Sequence, residues 1–294
     1  AWELLHKWYN ISSEFATFNF RNSCGYSSHP NYEKFKSWAL KQSIPITNLF
    51  PSVKKTKFNN IDLSVSTKFI EPSEVRDLEI FQYKIERLQE KFPDKILAGG
   101  YLEPRALYTT DKYGKSGNSG NENRTIHIGL DFWLPPKTPV HSIFDGEVVM
   151  ATNDAGDKEY GGLVVLKHKA KDFNFYTLYG HNSVKSATIN SVGDKIKKGD
   201  KISELGNYPE NGNWPPHLHF QIMLSMMDFK IDFPGVMYFN QINIWKEICP
   251  DPNLFFKSKS LDSKQEISSH ELINFRKKHL GESLKLHIMI LSEL

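Results

Sequence analysis

The spacing of apolar and polar residues predicts helices in the first third of the chain. From Ser73 to Phe92, apolar residues recur every three or four positions and form one stripe, which predicts an amphipathic helix. Ser73 is its predicted N-cap and Pro93 ends it. The same spacing over residues 31–41 predicts another helix, whereas alternation over residues 62–70 predicts a strand.

From Gly99 onwards the pattern changes to short apolar segments separated by Gly, Pro and Asp turns. The predicted elements are a hairpin over 140–151 that turns at Asp145-Gly146, strands over 162–167 and 173–178, and the strand from His217 to Met223. Such a pattern predicts a mainly β fold, an antiparallel β sandwich or barrel-like core with flanking helices, and an α+β class overall. A further helical pattern follows at residues 268–280.

These changes of pattern divide the chain into four expected regions. They are an N-terminal segment at 1–72, a helix packing on the core at 73–98, the strand-rich core domain at 99–245, and a linker with the possible start of a downstream domain at 246–294. The sequence begins at Ala1 without a methionine or a signal-peptide pattern, so we expect the natural start to lie upstream.

Composition and charge exclude several classes of function. The chain is 39% hydrophobic and 24% charged, as in ordinary soluble proteins. A net charge of +3 is too small to indicate a nucleic-acid partner. No apolar run reaches the roughly 18 residues that a membrane span requires. Cys24 and Cys249 are too few for a disulfide framework and are not spaced as a metal clip.

Histidines and one aspartate carry the candidate chemistry. His217 and His219 lie two positions apart on a predicted strand, so their side chains share one face. His127 and Asp131 would lie about 13 Å apart on a straight strand, but Gly129 between them permits a bend or bulge that brings them together. Two imidazoles and one carboxylate are a normal catalytic zinc set with a fourth position open to water. A further histidine would then be left to serve catalysis.

Several short motifs follow one another in a fixed order between residues 99 and 224. They are His127-Ile128-Gly129-Leu130-Asp131, Thr138-Pro139-Val140, Asp145-Gly146-Glu147-Val148, Tyr179-Gly180-His181 and His217-Leu218-His219-Phe220. Together they resemble the motifs of the lysostaphin/LytM-type zinc metallopeptidases, endopeptidases best known for cutting peptidoglycan cross-bridges. Four features depart from the pattern of that family: Asn182, which follows His181 where leucine is usual, the loop before His127, the segment 154–160, and Asn213-Trp214-Pro215-Pro216.

The resemblance implies a specific site. One Zn²⁺ per chain would be held by His127, Asp131 and His219, while His181 and His217 would be the catalytic residues. The expected substrate is a peptide or a peptidoglycan-like cross-bridge. Since the sequence has no H-E-x-x-H glutamate to act as a base, imidazoles would have to fill that role.

The end of the chain has a second resemblance. Residues 271–287, which include Arg276-Lys277-Lys278-His279-Leu280-Gly281, resemble the start of a class III aminotransferase domain. Some large proteins fuse a kinase-like phosphotransferase, a lysostaphin-type domain and such an aminotransferase. A fragment of such a fusion is expected in the cytoplasm, whereas an independent peptidase is expected in the cell envelope or outside the cell.

Two other functions fit parts of the pattern. The Gly-Asp hairpins resemble lipoyl-like and phosphocarrier barrels, in which histidines accept phosphate, although a carrier would not need Asp131. A catalytically inactive binding module on the same β fold is the other alternative. The aromatic residues near the motifs are expected either to line a substrate groove or to pack in the core; they are Tyr101, Tyr113, Tyr160 and Trp214. His141 and His168 are expected to have structural roles.

Overall fold

The computed structural model of the protein describes residues 13–108, 110–117 and 120–262. The α-helices in this part of the chain are α1 (Ser13–Ser23), α2 (Tyr32–Ala39), α3 (Ile46–Leu49), α4 (Pro72–Arg76), α5 (Leu78–Lys91), α6 (Val184–Ala187), α7 (Ile242–Ile248) and α8 (Asn253–Phe256). Single turns of 3₁₀-helix lie at Asp111–Tyr113, Phe239–Gln241 and Lys259–Leu261. None of the helices in these ranges is long and apolar enough to cross a lipid bilayer.

Strands make up most of the middle of the chain. They are β1 (Lys57–Asn60), β2 (Lys95–Gly99), β3 (Glu103–Pro104), β4 (Gly114–Gly117), β5 (Gly120–Asn123), β6 (Ile126–His127), β7 (Leu130–Trp133), β8 (Pro139–His141), β9 (Gly146–Asp154), β10 (Gly161–Lys169), β11 (Asn174–Asn182), β12 (Lys195–Ile196), β13 (Lys201–Glu204), β14 (His217–Met223) and β15 (Val236–Met237). The mainly β class with flanking helices that the sequence predicted is therefore the observed one.

One eight-stranded sheet organises the molecule. Its strand order is β1-β2-β7-β14-β11-β10-β9-β12, and every neighbouring pair is antiparallel except β1 with β2. A small sheet with the order β15-β6-β3 lies beside it, and β8 pairs with β13. Strand β14, which carries the two neighbouring histidines, is therefore a central strand with partners on both sides.

Strand β10 shows why the sequence of a central strand of this sheet is a continuous apolar run. Val164 and Leu166 point into one core, together with Phe35 and Phe255, while Leu163 and its neighbours on the same face point into another. Successive side chains alternate between the faces of a sheet, so a strand covered on both faces needs apolar residues at every position. The core with Phe35 packs the helices α2 and α3 against the sheet.

The helix predicted from Ser73 to Phe92 is two helices, α4 and α5, which meet at Asp77. Asp77 is the N-cap of α5 and accepts a hydrogen bond from the backbone of Ile80. Ser73 is not the N-cap of α4. Glu71 takes that place in a capping box with Glu74, and a proline follows it. The helix predicted over 31–41 is confirmed as α2.

Two strand predictions were wrong. Residues 62–70 form no strand, because the chain pairs with β2 earlier, through Lys57–Asn60. Residues 140–151 form no hairpin: β8 pairs with β13, whereas β9 pairs with β10 and β12. Asp145-Gly146 does turn the chain, but the two strands that flank it find partners further along the sequence. The strands predicted over 162–167 and 173–178 are present as β10 and β11.

The helical pattern at 268–280 and the aminotransferase-like residues 271–287 lie outside the described residues. The four domain boundaries also stay a prediction.

Candidate metal centre and its cleft

Strands β7 and β14 place an aspartate opposite a histidine. The two strands are antiparallel neighbours, and Asp131 lies directly across from His219 in their register. His217 lies two positions earlier on the same strand and shares the face of His219. The side chains of all three residues are almost completely buried.

His127 reaches this group because the chain changes sheets between His127 and Asp131. His127 ends β6 in the small sheet, and β7 begins in the large sheet at Leu130. Gly129 is in the connection, where a β-carbon would lie 2.5 Å from Cε1 of His219. The absent side chain therefore permits the close approach of these strands, and the chain does turn at the predicted glycine.

Three atoms from these side chains form a small triangle. His127 Nε2 is 2.9 Å from His219 Nδ1 and 3.3 Å from Asp131 Oδ1, and His219 Nδ1 is 3.2 Å from Asp131 Oδ1. Ligands at about 2.0–2.1 Å from a tetrahedral zinc ion are separated by about 3.3 Å. The donor set and its spacing therefore fit one face of a tetrahedral zinc site.

Hydrogen bonds on the far side of each ring determine which nitrogen faces the triangle. His127 Nδ1–H donates to the carbonyl of Gly100 at 2.9 Å, which leaves Nε2 unprotonated. His219 Nε2–H donates to Gln221 Oε1 at 2.9 Å, which leaves Nδ1 unprotonated. The amide nitrogen of Gln221 donates to the Pro234 carbonyl, which supports this orientation of the amide. Such outer partners orient metal-binding imidazoles.

The surroundings of the triangle favour a neutral His127 and an ionised Asp131. Burial lowers the pKa of His127 to about 3. Burial raises the pKa of Asp131, but its neighbours His127 and Arg105 lower it more, so the net shift is well below its usual value. These protonation states are the ones in which histidine and aspartate bind a metal ion.

A second pair of histidines lies beside the triangle. The ring centroids of His181 and His217 are 4.3 Å apart, and His217 Nε2 is 3.9 Å from Asp131 Oδ1. His181 Nδ1–H donates to the Asn211 carbonyl, and His217 Nδ1–H donates to the Pro215 carbonyl. Each ring therefore keeps an unprotonated Nε2, and burial lowers the pKa of both.

The backbone of His181 is held in an uncommon conformation. Its φ is +63°, in the left-handed region that few residues other than glycine adopt. Its amide donates to the Tyr160 carbonyl and its own carbonyl accepts from Gly206, so both sides of the residue are held. Strain of this kind persists where the surroundings over-determine it, and it often marks a functional residue.

Residues 125–230, which span β6 to β14, match the model of Peptidase family M23. This segment is a family M23 domain. The matched residues include the triangle and the second histidine pair, and they lie inside the predicted core domain at 99–245. The family match confirms the lysostaphin/LytM-type resemblance, and the family that it identifies is a family of peptidases.

Solved structures of peptidases are similar to the M23 domain. The catalytic domain of the antimicrobial peptidase lysostaphin from Staphylococcus simulans is 28% identical over 42% of this chain and 82% of its own, with a TM-score of 0.28. A zinc-containing peptidase from Vibrio cholerae is 23% identical over 42% of this chain and 36% of its own, with a TM-score of 0.26.

A cleft leads from the surface to the histidines of the M23 domain. Tyr113, Tyr160 and Trp214 line it, as one of the two sequence interpretations expected. Tyr101 does not: it is buried, and its hydroxyl donates to the carbonyl of Cys249. Among the described residues, the buried Tyr160 hydroxyl and Trp214 Nε1 have no hydrogen-bond partner.

Sequence reasoning missed Gln221 and Arg105. Gln221 could have been found, because it lies two positions after His219 on the same strand face and its amide can reach the ring. Arg105 donates to Asp131 Oδ2 from Nη1 at 2.6 Å. It lies 26 positions before Asp131, and no pattern in the sequence pairs the two.

Asn182, where the family usually has leucine, has a structural role. Its amide nitrogen donates to the carbonyls of Gly162 and Tyr179, and its side-chain oxygen accepts from the hydroxyl of Ser203. The residue is completely buried. It therefore holds the end of β11 in place and does not line the cleft.

Proposed function

We propose that the M23 domain is a zinc-dependent metalloendopeptidase that hydrolyses a peptide bond in a peptidoglycan cross-bridge or a related small peptide. The observation that carries this proposal is the triangle of His127 Nε2, Asp131 Oδ1 and His219 Nδ1, with sides of 2.9–3.3 Å. In this proposal the three residues hold one Zn²⁺. The family match supports peptidase activity, and the donor set supports the metal.

Zinc in such a site would act as a Lewis acid that lowers the pKa of water and polarises the scissile carbonyl. The protein holds the ligands in the required state before the metal arrives. Gly100 and Gln221 accept the outer N–H of His127 and His219, so neither ring has to lose a proton or rotate to bind.

His181 and His217 are the proposed catalytic residues. Because both present an unprotonated Nε2 next to the triangle, one of them can take the proton of the attacking water. The same nitrogen, once protonated, can pass that proton to the leaving amine, while the other ring orients the water. Lowered pKa values keep both rings neutral, and so able to act as bases, near pH 7.

The walls of the cleft suggest how a peptide is held. Tyr160 and Trp214 each offer a buried donor without a partner, and peptide carbonyl oxygens are suitable acceptors. The Tyr160 ring centroid lies 5.5 Å from that of His181 and 5.4 Å from that of His219. A substrate carbonyl bound by these groups would therefore lie close to the catalytic histidines.

Hydrolysis of defined substrates tests this function. The purified protein should cleave purified peptidoglycan or a cross-bridge peptide, and mass spectrometry should detect one new amino terminus per cleaved bond. A chelator should abolish the cleavage and added Zn²⁺ should restore it. Cleavage that survives both chelation and His181→Ala would refute the proposal. If the zinc-loaded wild type cleaved none of a broad set of peptides, the inactive binding module would be favoured.

A further inference from the structure

A buried arginine lies directly behind the candidate metal ligand Asp131. Arg105 Nη1 donates to Asp131 Oδ2 at 2.6 Å, and Arg105 Nε donates to Glu103 Oε2 at 2.7 Å. Only 4% of the arginine side chain is exposed. Gly100 makes room for it, since a β-carbon there would lie 2.0 Å from Arg105 Nη2. The guanidinium is therefore held from two directions by two carboxylates.

The same contacts extend into the N-terminal part of the chain. Glu103 Oε1 accepts a hydrogen bond from the backbone of Leu63 at 3.1 Å, and the amide of Val65 donates to the Pro104 carbonyl at 2.8 Å. Leu63 and Phe81 also line the cleft. All of these residues precede the family-matched segment 125–230. A continuous polar path thus joins the N-terminal region to Asp131.

In this arrangement the two carboxylate oxygens of Asp131 have different partners. Oδ2 is held by Arg105, so only Oδ1 faces the nitrogens of His127 and His219. A carboxylate with both oxygens free can bind a metal through either or both of them. Without Arg105, Asp131 and Glu103 would also be two buried carboxylates with no cation between them, which is strongly unfavourable.

We propose that Arg105 is a positioning residue for the metal centre. It presents Asp131 to the metal through one oxygen, and through Glu103 and Leu63 it makes the N-terminal region part of the site. This inference rests on the proposed function in one respect, namely that Asp131 is a metal ligand.

Cobalt substitution tests the geometry without any measurement of activity. The wild type loaded with Co²⁺ should give the intense visible absorption of a site with few ligands. Arg105→Met should lose intensity and shift these bands, because Asp131 can then bind through both oxygens and raise the coordination number. Arg124→Met is the matched control, because Arg124 also lines the cleft but packs on Tyr113. The cobalt spectrum of this variant should be that of the wild type.

Arg105→Lys covers the case in which the methionine variant does not fold. Lysine keeps the charge but cannot hold Glu103 and Asp131 at once in the two-pronged geometry of a guanidinium. Its cobalt spectrum should therefore also differ from that of the wild type. Wild-type spectra in the folded variants would overturn the proposal. A wild type that binds no Co²⁺ or Zn²⁺ would instead refute the proposed function.

A second arm uses metal-free protein, so it tests the pairing even if no metal binds. Asp131→Asn should lower the midpoint of thermal unfolding in the wild type, because it leaves Arg105 with one partner fewer. In the Arg105→Met background the same change should raise the midpoint, because it removes an uncompensated buried charge. Equal decreases in both backgrounds would show that the two residues are not coupled and would overturn the proposal.

Discussion

His168 on β10 and His219 on β14 lie in the same sheet, and their side chains are 1% and 2% exposed. Both nitrogens of His168 have a protein partner. Its Nδ1–H donates to the Asp145 carbonyl at 2.8 Å, and its Nε2 lies within hydrogen-bond distance, 2.7 Å, of the Thr177 hydroxyl. His219 Nε2–H donates to Gln221 Oε1, but its Nδ1 faces the nitrogen of His127 and the carboxylate of Asp131.

The comparison shows which property separates a candidate metal-binding histidine from a structural one. Burial does not, and neither does the pKa, because burial lowers the pKa of His168 to about 4 and that of His127 to about 3. The difference lies in the second nitrogen. In His219 the second nitrogen, Nδ1, is unprotonated and faces His127 Nε2 and Asp131 Oδ1. In His168 the second nitrogen, Nε2, is in contact with the Thr177 hydroxyl instead.

The largest expected effect comes from removing a converging nitrogen. His219→Ala should lose the zinc and with it all detectable hydrolysis, since two ligands cannot complete the proposed site. Metal analysis and a peptide-cleavage assay on the same preparation measure both losses. Hydrolysis by a zinc-free His219→Ala protein would show that activity does not need a metal held by His219, and it would contradict the distinction between the two kinds of histidine.

Removing a catalytic imidazole should separate metal binding from catalysis. His181→Ala should keep one zinc per chain but lose about 10²–10⁴-fold in kcat, the usual contribution of a general acid or base. Single-turnover cleavage by zinc-loaded protein measures the loss. If zinc were lost together with activity, His181 would be a ligand and not a catalytic residue.

A smaller effect is expected from the outer partner of His219. Gln221→Ala removes the acceptor that holds Nε2–H, so the ring can rotate or bind a proton on Nδ1. Zinc affinity should fall by about 10–100-fold, the usual effect of losing such a partner. Competition with a chelator of known affinity gives the value, and an unchanged affinity would show that the hydrogen bond does not orient the ring.

The smallest effect concerns stability, and it belongs to His168. Its folded pKa of about 4 lies below its ordinary 6.5, so the unfolded chain binds more protons between these values and stability falls as pH falls through this window. From pH 7.5 to 5.5 this residue should reduce the free energy of unfolding by roughly 1 kcal/mol.

Denaturant unfolding of metal-free wild type and His168→Gln at both pH values checks this effect. The drop in unfolding free energy should be smaller in the variant by that amount, since glutamine does not titrate. An equal drop in the two proteins would mean that His168 does not titrate on unfolding as its burial implies.

Short motifs allowed much of the candidate site to be anticipated from the sequence. The bounds of β14 follow from the apolar run after the two prolines, and alternation along that strand puts His217 and His219 on one face. Gly129 indicated the turn that brings His127 to Asp131. The roles of these residues were implied by family resemblance, and those roles are still predictions.

The rest depended on contacts between distant parts of the chain. Arg105 and Gly100 form hydrogen bonds with the candidate ligands Asp131 and His127, but neither has a spacing that predicts its partner. The failed hairpin at 140–151 has a similar cause. Asp145-Gly146 is a good turn signal, yet β8 and β9 each pair with later strands, and local turn chemistry cannot reveal such a choice.

Native mass spectrometry of three proteins tests the central claim most directly: wild type, His168→Ala and His219→Ala, each reconstituted with Zn²⁺ at neutral pH. The two variants delete the same group from equally buried positions in one sheet. The wild type and His168→Ala should each carry one zinc ion, and His219→Ala should carry none. Zinc retained by His219→Ala, or lost only from His168→Ala, would contradict the account.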